Sequence, residues 1–414
     1  RNIDRRAMSR RYDVVVYGAT GFTGQLVAQY MSKIERARDV KFAIAGRNAA
    51  KLQNILRLLK NPVDCIVASS GNTESLERMC KLTKVVISTV GPFLKYGTPL
   101  VEACVACQTD YVDITGEIPW VKSLINKFDK KAKSNGTIIV PMCGFDSIPS
   151  DLGAYATVKE IQKRYGCSIR RIVTYVAMKG SASGGTLATG MIMDKEAPED
   201  MKDVFLLGGM RKVGVREEDR DFDEATFDRN IMSWTAPFGM AKLNTRVVRR
   251  SCMLFENIGM GYGECFNYQE KVVVPDEKTA RKLLRSTRIP PHLIKKMVQL
   301  GKLPKPGEGP TASERAKNWF LYTVIGEAEN GRLIKTEVKG GDAGYDETAK
   351  MVSEAAVMLA QMKGKLLEQK GLNGGVVTPA FAFRSHLISA LNAAGLLFKS
   401  TPVAAVQHRP KPKL

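Results

Sequence analysis

The sequence predicts an α/β protein, a doubly wound parallel sheet followed by a second domain of mixed α and β structure. Two observations carry the prediction. Over the first 140 residues, short apolar runs alternate with helix-like segments at intervals that suit βαβ units. At 414 residues, 44% hydrophobic and 25% charged, the chain exceeds one ordinary core yet keeps a globular composition.

The first strand is expected at residues 12–17, and the first helix carries Leu26, Val27, Tyr30, Met31 and Ile34 on one face. Between them stands GATGFTG at 18–24. A strand, a glycine turn and a helix in that order set bare N–H groups and the positive end of a helix dipole where a pyrophosphate can rest. The spacing is GxxGxxG, which looks like the form used by many NADP-linked reductases. It assigns Gly18, Ala19, Thr20, Gly21, Phe22, Thr23 and Gly24 to a dinucleotide and makes the sheet Rossmann-type. The second strand, residues 41–45, runs into Gly46, Arg47 and Asn48, where an NAD enzyme would offer a carboxylate to the ribose 2′-hydroxyl. A guanidinium there pairs with a 2′-phosphate that a carboxylate would repel, so Arg47 and Asn48 predict NADP(H). The competing reading of Arg47 is a solvated surface side chain.

Further strands are expected at 63–67, 85–89, 111–114 and 137–140, with helices at 73–82, 99–106 and 118–132 between them. Thr89, Val90, Gly91 and Pro92 form the turn at the carboxyl end of the fourth strand, the edge where open parallel sheets hold ligands, and are assigned to the cofactor. Beyond a boundary near Gly144, strands are expected at 171–177, 246–255 and 270–274, and a hairpin at 320–325 and 332–338 whose loop contains Asn330 and Gly331. A helix at 345–362 and a last helix at 386–397 complete the pattern. The chain then divides into a tail at 1–9, a nucleotide-binding domain at 10–143, a substrate and dimerisation domain at 144–345, C-terminal helices packing back on the first domain at 346–400, and a basic tail at 401–414.

GATGFTG, GPFLKYG at 91–97, DITGE at 113–117, CGFDSIPSD at 143–151, SGGT at 183–186, GDAGY at 341–345 and GGVVTP at 374–379 together span nearly the whole chain. In these motifs the chain resembles the saccharopine dehydrogenase-like oxidoreductases, a family similar to trans-acting enoyl reductases of complex lipid synthesis. The resemblance implies an NADPH-binding domain, a mixed domain shaping a pocket beside the nicotinamide, and relatives tied to lipid stores or glycolipid assembly. Only the turn at Asp146, and Asp151, match the pattern of true saccharopine reductases, which grip an amino acid dicarboxylate through dedicated basic residues. Three functions follow: an NADPH-dependent reductase of a C=C or C=O on a lipid-type substrate, a saccharopine-type imine oxidoreductase, or a lipid-associated protein that binds the cofactor without turnover.

Hydride transfer asks the protein to place the substrate, exclude water and supply a proton. Tyr96, past the fourth-strand turn, and Asp146 with Ser147, past the sixth strand, are placed for that work. Asp146 has a second reading, the N-cap of the helix entering the second domain, with Pro149 in its first turn. The string YATVK at 155–159 fits the YxxxK of short-chain reductases but follows the domain boundary instead of a strand end, and is rejected. SGGT at 183–186 is a helix start or a pocket floor.

The formal net charge is +21. Residues 281–302 are its densest internal stretch, with Arg285, Arg288, Lys295 and Lys296 beside Leu283, Leu284, Leu293, Ile294, Met297 and Val298, and no acid. Such a stretch suits an anionic membrane or lipid-droplet surface, or a phosphate-bearing substrate; the alternative is a solvated helical face. No nucleic-acid-binding motif is found, and no nucleic acid is expected as a partner. No apolar run reaches the length of a spanning helix, so membrane contact would be peripheral. Residues 198–226, highly charged around Gly208 and Gly209, read as a lid or a solvated connection. Eight scattered cysteines and three histidines argue for a reducing compartment and against zinc; Cys104 and Cys107 read as packing residues. The final Pro412, Lys413 and Leu414 resemble a peroxisomal address, or are a chance ending, and the expected location is cytoplasmic or peroxisome-type. A homodimer is the expected assembly.

Overall fold

The computed structural model describes residues 10–180, 199–210, 214–286, 289–300 and 308–403. SGGT at 183–186, Arg288, the 301–302 end of the basic stretch and the C-terminal tripeptide lie outside the described residues.

Seven parallel strands make the first sheet: β1 (Tyr12–Tyr17), β2 (Phe42–Gly46), β3 (Asp64–Val67), β4 (Thr83–Ser88), β5 (Asp110–Asp113), β6 (Ile138–Val140) and β13 (Gly375–Val376), in the order β13-β6-β5-β4-β1-β2-β3. The reversal between β1 and β4 opens the crevice at their carboxyl ends. Side chains along β1 alternate, so Val14 and Val16 enter one core while Val15 and Tyr17 enter the other. One face is covered by α1 (Phe22–Arg38) and α2 (Ala49–Leu56), the other by α3 (Thr73–Lys81), α5 (Thr98–Cys107) and α6 (Ile118–Asn135), and the short α4 (Phe93–Tyr96) follows the fourth-strand turn.

From α7 (Ile148–Tyr165) the chain enters a second, mixed sheet: β7 (Ile169–Lys179), β8 (Thr226–Asp228), β9 (Ser233–Pro237), β10 (Asn267–Val274), β11 (Trp319–Ala328), β12 (Leu333–Gly340) and β14 (Leu397–Pro402), in the order β14-β12-β11-β7-β10-β9-β8. The helices here are α8 (Ala241–Glu256), α9 (Glu277–Ser286), α10 (Pro291–Gln299), α11 (Ala312–Arg315), α12 (Asp346–Leu367) and α13 (Pro379–Ala393). α12 packs back on α1, β1, β4 and β5, so one apolar core runs from the first sheet through α12 and α7 to the second.

Three expectations give way. Residues 246–255 are not a strand but part of α8; Val247 and Val248 favour β structure locally, yet Leu243, Val247, Leu254 and Phe255 bury a helical face. The last helix starts at Pro379, directly after Thr378, and ends at Ala393, while Leu397 begins β14, hydrogen-bonded to β12. The 346–400 segment is therefore not helical throughout, since β13 extends the first sheet and β14 edges the second. The described part of 198–226 is no solvated connection either. Val204, Phe205, Leu206 and Leu207 are buried, and three buried arginines of α8 grip the main chain around them. Arg246 donates to Asp203 O and Met201 O and pairs with Asp221, Arg249 donates to Val204 O and Asp219 O, and Arg250 donates to Leu207 O and Val376 O.

Candidate nucleotide-binding and catalytic site

Gly18 has φ +93, and a methyl group on it would lie 2.6 Å from Thr89 Oγ1 and 2.7 Å from Val90 Cγ2. Any side chain there would meet both strain and collision. On Gly24 a methyl group would lie 2.1 Å from the Gly18 carbonyl oxygen, so the turn and the first helical residues are close-packed by glycine alone. Gly21, the N-cap of α1, is exposed, and a methyl group there would meet the Gly18 carbonyl oxygen at 3.4 Å, an ordinary contact. No side chain caps α1, and its first turn holds no acid.

The amides divide into two groups. Those of Gly18 and Ala19 donate to Ala45 O of β2, and that of Gly21 donates to Gly18 O. Those of Thr20, Phe22, Thr23 and Gly24 donate to no group among the described residues, at the positive end of a helix dipole. Amides so placed can take phosphate oxygens. The Ala19 amide is already engaged by Ala45 O, and the Phe22 ring packs edge-on against Tyr345 with centroids 4.8 Å apart.

At the end of β2, Arg47 is exposed and has no carboxylate partner among the described residues, which leaves its guanidinium free for a phosphate. Asn48 is committed to a structural task, its Oδ1 accepting the Lys51 amide at 2.9 Å as the N-cap of α2. Tyr17 lies within reach of both the Arg47 charge and Ser70, a neighbourhood hidden from sequence reading because Ser70 follows the edge strand β3.

Thr89 ties β4 to β1 through N–H and Oγ1 donation to Tyr17 O, at 3.0 and 3.2 Å. Val90 is half-buried and Gly91 exposed, followed by a cis peptide bond to Pro92. The carboxylate of buried Glu117 then accepts the amides of Phe93 at 2.9 Å and Leu94 at 2.7 Å, anchoring this loop by capping α4. Residue order alone does not reveal this role, although DITGE stands out as a motif. Asp113, in the same motif, accepts from the Thr115 and Met142 amides and the Tyr111 hydroxyl, and burial pushes its carboxyl up to about 7.

Tyr96 ends α4 and is 45% exposed to solvent. Asp146 is half-buried in the turn that leads into α7, and removal from water and the nearby Asp113 charge push its carboxyl up to about 7. The capping alternative fails, because Ser147 is the N-cap of α7 and no side chain supplies a cap bond. Ser147 is fully buried and its hydroxyl donates inward to Asn244 Oδ1 at 3.3 Å, so it backs the site rather than facing it. Tyr155 and Lys159 lie together on α7, with Tyr155 stacked on Phe255, a packing arrangement.

Residues 14–140 match the saccharopine dehydrogenase NADP binding domain. A trans-acting enoyl reductase of Mycobacterium tuberculosis is 30% identical over 431 residues, covering 95% of this chain and 98% of its own, and one of Mycobacterium leprae is 31% identical over 428 residues with the same coverage. The chain belongs to the saccharopine dehydrogenase-like oxidoreductases. Among solved structures it is similar to the saccharopine dehydrogenase (L-Glu forming) of Saccharomyces cerevisiae, with a TM-score of 0.53 at 12% identity, covering 95% of this chain and 100% of that one. The homospermidine synthase of Legionella pneumophila, solved in complex with NAD, gives a TM-score of 0.53 at 10% identity, over 98% of this chain and 94% of that one. These two show a shared fold. As a member of this family the protein is an NADP-dependent oxidoreductase, and the glycine cradle with its free amides fits a nicotinamide dinucleotide. Among the described residues no helix is long and apolar enough to cross a membrane.

Proposed function

We propose that this oxidoreductase uses NADPH to reduce a C=C conjugated to a carbonyl, or the C=O itself, on a lipid-type acyl substrate. The observation that carries this reading is end-to-end likeness to enoyl reductases, combined with the fate of the arginines. A saccharopine-type site requires basic side chains facing the nicotinamide, whereas Arg246, Arg249 and Arg250 are buried and spent on main-chain carbonyls and Asp221.

In this reading the amides of Thr20, Phe22, Thr23 and Gly24 bind the pyrophosphate and Arg47 binds the 2′-phosphate. Thr89, Val90, Gly91 and Pro92 lie along the cofactor, held in place by Glu117. The cofactor supplies the hydride when bound. Asp146 holds a proton on its carboxyl up to neutral pH and releases it to the reduced substrate, and Tyr96 flanks the entrance. Lys282, Arg285 and Lys296, with exposed Leu293 and Leu300, form a basic and apolar surface on α9 and α10 for peripheral contact with an anionic membrane or lipid droplet.

Fluorescence titration with NADPH and NADH, followed by a screen of NADPH oxidation with 2-enoyl thioesters, 3-ketoacyl thioesters and imines, tests the proposal. Tighter binding of NADPH and turnover of a thioester are expected. Turnover confined to imines would overturn it.

A further inference from the structure

Phe22 opens α1 inside the glycine turn, and its half-buried ring is gripped by residues far along the chain. Tyr345 meets the ring edge-on, with centroids 4.8 Å apart. The Arg315 guanidinium lies over the same ring, 5.7 Å from its centroid. The main chain at Gly309 comes so close that a methyl group there would fall within 2.7 Å of three ring carbons. Any side chain at 309 would displace the ring.

These contacts belong to one hydrogen-bonded frame. The Arg315 side chain is only 11% exposed, and its Nε donates to both carboxylate oxygens of Asp346 at 3.0 Å while Nη1 donates to Pro310 O at 2.8 Å. Thr311 and Glu314 close a capping box on α11, which fixes the base of Arg315. The Tyr345 hydroxyl donates to Glu308 O at 3.2 Å, and Asp342 accepts both the Tyr345 amide at 2.9 Å and Asn318 Nδ2 at 2.6 Å. The GDAGY motif, to which neither cofactor binding nor proton transfer gives a role, thus ties Tyr345 to the segment that carries Gly309 and Arg315.

At the other end of Phe22, its amide and those of Thr20, Thr23 and Gly24 have no partner among the described residues, and no side chain caps α1. A turn rich in glycine samples many backbone states, so amides poised for phosphate need support from elsewhere. We propose that Phe22 is a positioning residue, the handle through which Gly309, Arg315 and Tyr345 hold the glycine turn in its nucleotide-binding shape. The inference rests on the assignment of that turn to the pyrophosphate. Because coupling between sites is reciprocal, bound nucleotide steadies the 308–315 segment in return.

Gly309→Ala adds one carbon against the ring and none to the turn. In fluorescence titration it is expected to raise the Kd of NADPH and of NADH by the same factor, about tenfold, leaving their ratio as in the natural chain because Arg47 is untouched. In a double-mutant cycle the same change is expected to cost nothing further once Phe22→Ala has removed the ring. Hydrogen exchange of the natural chain gives a reading that needs no variant. NADPH is expected to slow exchange at the Glu314 and Arg315 amides, and that protection is expected to vanish in Phe22→Ala saturated with NADPH. Kd values unmoved by Gly309→Ala, equal losses from it with and without the Phe22 ring, or exchange at 314–315 blind to NADPH overturns the inference. If Gly24→Ala leaves NADPH affinity intact, the pyrophosphate assignment falls and the inference with it; if Gly24→Ala weakens binding while Gly309→Ala does not, the assignment stands and the handle alone falls.

Discussion

The two lobes secure their functional segments by opposite means. At the carboxyl edge of the first sheet the groups proposed to face the cofactor are main-chain amides, left without partners among the described residues because glycines let the turn close on itself. In the second lobe, buried ionisable side chains reach across to main-chain carbonyls, as Arg249 and Arg250 do for the 204–207 segment. The first device tolerates no added atom at Gly18 or Gly24; the second tolerates no lost donor. Burial lowers both guanidinium pKa values to about 10, so the arginines stay charged in the interior and depend on those carbonyls for solvation.

That contrast can be broken in order of expected effect. Gly24→Ala places a methyl group against the Gly18 carbonyl, a main-chain atom unable to step aside, and NADPH affinity measured by fluorescence titration is expected to fall by about a hundredfold or more. Arg250→Met removes donors from Leu207 O and Val376 O. A loss of about 2 kcal/mol in denaturant unfolding is expected, along with faster proteolysis within 199–221. Such a variant that unfolds like the natural chain would show the clamp to be ornamental. Glu117→Gln keeps the shape but turns one acceptor into a donor facing the Phe93 or Leu94 amide, and should lower stability by about 1–2 kcal/mol while weakening NADPH binding. Arg47→Ala leaves the pyrophosphate cradle intact and is expected to cut the preference for NADPH over NADH by about tenfold, with NADH affinity unchanged.

A further expected effect is on the pH dependence of stability. Asp146, Asp113 and Asp151 each have a carboxyl raised to about 7 from the ordinary value of 3.8, so the folded chain holds more protons than the unfolded one between those values. Their contribution is fully present below the unfolded pKa and is lost as pH rises through the folded one. Tm is expected to be higher near about pH 5 than near about pH 8 on their account, and Asp146→Asn should flatten the slope because that carboxyl has no hydrogen bond to lose.

The parallel sheet, the glycine turn and Arg47 are readable from residue order because each is local. Apolar alternation sets a strand's two faces, and the spacing of GATGFTG sets a turn within seven residues. The same local habit misleads at Val247 and Val248, where β-branched neighbours sit in a helix whose burial is decided by segments some forty residues away. It also leaves Asp146 with two readings, of which the position of Ser147 as the cap of α7 removes the capping one.

Residue order alone determined the strand, glycine turn and helix that open the chain, since φ preference and helix polarity are properties of short stretches of chain. Only the tertiary structure decided that Glu117 anchors the Gly91 loop and that three arginines of α8 bind the main chain around the buried 204–207 segment. The physical reason is that hydrogen-bond satisfaction in a low-dielectric interior depends on which groups packing brings within about 3 Å, and chain separation carries no record of it.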